Sequence, residues 1–174
     1  MSIPYASEID PGNLGVPSLF CASLCRETYQ ITEKAEAALF ASADATAAAK
    51  AGLDAHRSLV LEALWTYARK GYYPIRIDES SPQPGPDGII LPPHPFKNSW
   101  DCERAQAVEA ETYPEKHPDR VRWHVTNDLK NLGFHSVIFI VDSEEKKSAI
   151  QKATEQLEQS LKSRTEIRIL KSRA

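Results

Sequence analysis

The stretch HSVIFIVD, residues 135–142, decides the fold class. Val137, Ile138, Phe139, Ile140 and Val141 follow one another without a polar interruption. A strand with one wet face alternates apolar and polar side chains, so this run predicts a strand buried on both faces. Structure must therefore lie above and below it. Asp142 stands three residues before Glu145, a pattern like a capping box, and Ala149, Ile150, Ala153, Leu157 and Leu161 then form one helical stripe. Residues 165–171 return to period two, with Ile167 and Ile169 alternating against Glu166 and Arg168. Strand, helix and strand in this order predict a β-α-β unit at the C-terminal end.

Working upstream, Val121, Val125, Leu129 and Leu132 recur at four and three, predicting a helix over 119–131 capped by Asp119 and ended by Gly133. Ser99 is a cap for a further helix over 99–113, with Trp100, Ala105 and Val108 facing inward. Pro82, Pro84, Pro86, Pro92, Pro93 and Pro95 mark 79–98 as a Pro-rich loop, interrupted by the short apolar run 89–91. Residues 73–78 alternate Tyr73, Ile75 and Ile77 with polar neighbours or Pro74, the pattern of an edge strand. Residues 53–70 are apolar almost all round and end on Arg69, Lys70 and Gly71, as a covered helix would. With the amphipathic stretch 18–42 they predict an αα-hairpin. The expected fold is therefore α+β, with an N-terminal αα-hairpin and further helices packed on a small mixed β-sheet. Residues 1–16 read as an irregular arm, and 17–174 as a single domain.

Composition narrows the function classes. The 174 residues are 41% hydrophobic and 26% charged, ordinary values for a globular chain. Lys and Arg total 21 against 24 for Asp and Glu, a formal charge of −3 that lacks the global footprint of a nucleic-acid binder. The three cysteines are odd in number and sparse, which predicts a reducing, intracellular compartment, cytoplasmic by default and compatible with the nucleus. No apolar run approaches the length of a membrane span, and residues 1–15 lack the apolar core of a leader.

Chemistry is sparser. His124 and Asp128 are four apart and share a helix face, and His135 opens the strand beyond. A His–carboxylate pair suits a general base or zinc, whereas the plainer alternative is a surface His–Asp pair with a strand-edge His. Cys102 falls in the first turn after Ser99, near His94 and Asp101, where a helix N-terminus could activate a thiol. An inert packing cysteine is the competing interpretation. Cys21 and Cys25 lie one turn apart on an apolar stripe and read as packing residues. The pattern assigns no metal ligands and names no cofactor. The catalytic candidates are therefore His124, Asp128, His135 and Cys102, with Trp100 and Trp123 as candidate ligand-binding side chains. Two functions are expected from this. One is a non-catalytic interaction or assembly module that works through a protein partner or self-association. The other is a small enzyme or ligand-binding protein with a pocket lined by His, Asp and Trp.

Overall fold

The computed structural model describes residues 55–77, 85–96 and 100–170, and of Cys102 the backbone alone. The expected arm over 1–16 and the first helix of the hairpin lie outside the described residues. The second helix is α1, Ala55–Arg69. It is followed by β1 (Tyr73–Arg76) and β2 (Gly88–Leu91). A 3-10 turn, Cys102–Arg104, leads into β3 (Gln106–Ala110). Next come α2 (Pro118–Thr126), a π turn (Asn127–Asn131) and β4 (Ser136–Val141). The described chain closes with α3 (Glu144–Thr154), the single turn α4 (Gln159–Lys162) and β5 (Thr165–Ile169).

The five strands form one mixed sheet in the order β1-β2-β3-β4-β5. The first three run as an antiparallel meander, and β3, β4 and β5 are mutually parallel. This is an α+β architecture with the expected β-α-β unit at its end. Every residue of β4 is buried, as its unbroken apolar run requires. Ile138 and Ile140 pack toward Val60, Ala63, Leu64 and Tyr67 of α1. Val137, Phe139 and Val141 pack on the opposite face with Val121 and Val125 of α2 and Ile150 and Ala153 of α3. Burying each such side chain contributes roughly 1.5–3 kcal/mol, so the sheet is held from both sides by helices.

Three local expectations are corrected. The predicted helix over 99–113 is instead the 3-10 turn and β3. Its Ala, Gln and Glu favour a helix intrinsically, but the segment hydrogen-bonds to β2 on one side and β4 on the other, and that pairing overrides propensity. The helix after β4 is capped by Ser143, whose Oγ accepts the Lys146 N–H at 3.3 Å, rather than by Asp142. It also breaks after Thr154, whose hydroxyl donates back to the Ile150 carbonyl at 3.0 Å, so Leu157 and Leu161 do not continue the same helix. Gly133, at φ +77°, makes the turn from the π segment into β4, a conformation that L side chains rarely adopt. Gly88 lets α1 approach the sheet closely: a Cβ there would stand 3.0 Å from the Leu64 Cδ2.

Candidate metal centre

Two short stripes of polar side chains meet between β3 and α2. Strand side chains alternate, so with Val108 and Ala110 toward α1, Ala107 and Glu109 face α2, and Glu111 continues that row just past the strand. On the helix, Arg120, His124 and Asp128 recur every four residues and so occupy one face. Two strand residues advance about 6.6 Å and four helical residues about 6 Å, so the two rows rise in step. The contacts follow this ladder. Arg120 Nη2 donates to Glu111 Oε2 at 2.9 Å. His124 bridges the rungs, with Nε2 3.8 Å from Glu111 Oε1 and Nδ1 3.2 Å from Glu109 Oε1. Asp128, in the π turn, closes the row beside Glu109. Wider helical turns of this kind recur at functional sites.

The residue just before β2 adds a fourth acid. Antiparallel pairing of Gly88 with Val108 sets Asp87 opposite Glu109. Asp87 Oδ2 accepts the Ala110 N–H at 2.9 Å and lies 3.1 Å from His56 Nε2, which α1 supplies from its first turn. The N–H of Ala110 falls opposite Pro86 in this register, and the Asp87 carboxylate takes the place of a ladder partner.

Burial makes the cluster electrostatically costly. Glu109 is 1% exposed and Asp128 0%. Burial, followed by the charges of Asp87 and Asp128, holds the Glu109 carboxyl well above the usual carboxylate range. Burial likewise pushes Asp128 up to about 7, against the hydrogen bond it shares with the Glu109 carboxyl. The reverse holds at Asp87: burial would raise it, but the His56 hydrogen bond and charge, with the Ala110 N–H, outweigh that and hold it below its ordinary value. Burial also lowers His124, against the pull of Asp87 and Glu111, which favours the neutral imidazole that a metal ion requires.

Glu109 Oε1 and His124 Nδ1 are buried without a hydrogen-bond partner, and both carboxylate oxygens of Asp128 are buried with no partner but the proton that the Glu109 carboxyl can share. Native proteins leave few such atoms unpaired. Glu109 Oε1 and His124 Nδ1 are close enough to bond yet misaligned for it. Adjacent ligands around an ion about 2.1 Å away stand about 3 Å apart, so the spacing suits two ligands of one ion. One ligand atom from each of Glu109, His124 and Asp128 falls within 4.8 Å of the others.

The Glu111–Arg120 end of the cluster lies by the carboxyl ends of the parallel strands β3 and β4, where open sheets of this kind usually bind ligands. Trp123 is exposed with its ring 5.2 Å from that of His124. Tyr113, two residues beyond Glu111, is exposed with Lys116 Nζ 4.9 Å and Lys146 Nζ 5.7 Å from its ring centre.

The structure thus brings His124, Asp128 and Trp123 together and separates them from the other candidates. His135 is exposed at the start of β4, where its N–H bonds the Ala105 carbonyl. Ala105 is four residues, or about 13 Å of strand, from Glu109. Trp100 and the backbone of Cys102 lie at that same far end. There the Trp100 Nε1 donates to the Gly71 carbonyl at 3.1 Å, and its ring packs edge-on against Tyr73. Glu109, Glu111, Asp87 and Arg120 were not singled out by sequence. Once 99–113 is taken as a helix, Glu109 and Glu111 read as solvent charges. The available signal was the period-two pair Glu109 and Glu111 set against the period-four row Arg120, His124 and Asp128. No family model matches the chain, and no curated protein or solved structure does either, so its chemistry is argued from this geometry.

Proposed function

We propose that the chain is a divalent-metal-dependent hydrolase that cleaves phosphodiester bonds in a nucleic acid strand. The observation that carries this reading is the set of buried, unpartnered ligand atoms on Glu109, His124 and Asp128. Two carboxylates and one imidazole suit Mn2+ or Mg2+, which Glu109, His124 and Asp128 would hold. Such an ion would supply Lewis acidity toward a phosphoryl oxygen and would activate water as a nucleophile. Hydrolysis then adds the water oxygen to phosphorus, breaks the bond to the leaving oxygen and returns a proton to that oxygen. The chain's residues hold the ligand atoms at fixed spacing, and Asp87 adds negative charge beside them. Cations and exposed rings near the Glu111 end of the cluster (Arg120, and Lys116 and Lys146 over Tyr113), with the exposed Trp123 beside His124, suit a polyanion whose bases can stack. Of these cations Arg120 is paired with Glu111 and Lys146 with Asp142, and Lys116 lies over the Tyr113 ring.

The test is Mn2+ titration followed by incubation with a fluorescein-labelled DNA strand. Stoichiometric Mn2+ uptake and metal-dependent cleavage, both lost in Glu109→Gln, are expected. Zn2+ uptake without cleavage would replace the proposal with a structural metal site.

A protein-docking role for the Pro-rich segment is a second reading. It is favoured by one observation, that Phe96 is 93% exposed beside Pro92, Pro93 and Pro95. Light scattering of the wild type and Phe96→Ala tests self-association through it. An oligomer that dissociates in the variant supports the role, and equal masses oppose it.

A further inference from the structure

We infer that Arg120 is the side chain that grips the reacting phosphate, and that Glu111 is a positioning residue which aims it. The inference rests on the metal-hydrolase reading and adds a binding role outside the ligand set. Arg120 heads the helical row whose next members, His124 and Asp128, face the ion position. One helical turn, about 6 Å, separates it from His124. A phosphate with one oxygen on an ion about 2.1 Å away places a second oxygen's hydrogen-bond donor about 6–7 Å from that ion. The row therefore places Arg120 one turn outward from His124, with its guanidinium held on Glu111 beside the ligand set.

Burial supports this division of labour. Glu111 is 2% exposed and accepts a single guanidinium nitrogen, Nη2, from Arg120. The Arg120 side chain is 47% exposed, so its guanidinium keeps N–H groups open to solvent beyond the one that Glu111 accepts. A guanidinium fixed on one edge and open on the other is prepared for two parallel bonds to phosphate oxygens. Arg122 is a natural contrast. It lies two residues along the same helix, but its guanidinium is taken by Asp119 and the Ala153 carbonyl.

The experiment measures binding without turnover. Fluorescence anisotropy of a fluorescein-labelled single-stranded oligonucleotide is followed against salt, in Ca2+, for wild type, Arg120→Gln, Arg120→Lys and Arg122→Gln. Mn2+ uptake by each protein is measured in parallel by electron paramagnetic resonance. Loss of one phosphate contact lowers the slope of log K against log salt by about 0.7 on a single strand. Arg120→Gln is expected to show this drop and about tenfold weaker binding, with Mn2+ uptake unchanged. Arg120→Lys retains the slope but binds more weakly, because a point charge replaces a fork. Arg122→Gln matches wild type. In Mn2+, cleavage by Arg120→Gln falls about a hundredfold. If Arg120→Gln keeps the wild-type slope and cleavage while Mn2+ still binds, this inference is overturned and the metal reading stands. If the wild type takes up no Mn2+, both fall.

Discussion

Replacing Asp128 by Asn should stabilise the metal-free protein, and more so as the pH rises. Burial lifts the Asp128 carboxyl from 3.8 to about 7. The folded state therefore retains a proton that the unfolded chain releases, and stability falls as pH rises between those two values. Above pH 7 the penalty is complete, and below 3.8 it vanishes. At 1.36 kcal/mol per unit, the shift sets a ceiling of about 4 kcal/mol at pH 8, of which the increase from pH 5 to pH 8 is about 1–3 kcal/mol. The depressed value of His124 works in the opposite sense, since stability is gained as pH rises through its range. His124 is present in both proteins and largely cancels from their difference. For a chain of 174 residues, 1 kcal/mol corresponds to about 2–4 °C in Tm. Thermal unfolding by circular dichroism in EDTA should show a gain in Asp128→Asn that widens by several degrees from pH 5 to pH 8. Mn2+ should close that gap by raising wild type alone. A gain of equal size at both pH values, or a variant less stable than wild type at pH 8, would refute the electrostatic account.

Further outcomes are expected elsewhere in the molecule. Mn2+ at a hundred times its Kd should raise wild-type stability by about 2.7 kcal/mol, and His124→Ala should abolish that rise in a thermal melt. His56→Ala removes the group that most opposes burial at Asp87, whose carboxyl lies below its ordinary value; the stability this contributes is lost as pH falls through that range. Acid titration of the variant should therefore show unfolding at higher pH than wild type, and identical midpoints would count against the pairing. Phe139→Ala empties the fully buried centre of the sheet and should cost about 3–5 kcal/mol by urea denaturation. Gly88→Ala should cost about 1–3 kcal/mol in the same assay, because Leu64 is itself buried and the Ile75 carbonyl stands 3.3 Å from the new methyl.

Much of the sheet was legible because its signals are local. The run 137–141 could be satisfied by burial on both faces, and the β-α-β order followed from two changes of period. β3 was not legible. Its Ala107, Val108 and Ala110 are small or modest side chains that carry no clear period, and its alanines, Gln106 and Glu109 favour helix by propensity. Pairing on both sides decides its conformation, and pairing is non-local. The candidate site was half visible for the same reason. His124 and Asp128 share a helix and so declare their common face, whereas Glu109 joins them across a gap that appears once the strand is placed. His135 was drawn in by its nearness in sequence to Asp128, but Gly133 turns the chain away before it.

The matched rise of strand and helix also sets which changes in chain length the centre tolerates. Glu109, Glu111, Arg120, His124 and Asp128 all fall within twenty consecutive residues, and the turn at 112–117 lies between the two rows. Extra residues inserted in that turn leave both rows in register. Deleting one residue between Arg120 and Asp128 swings the later donors about 100° around the helix axis and dismantles the centre while sparing the sheet.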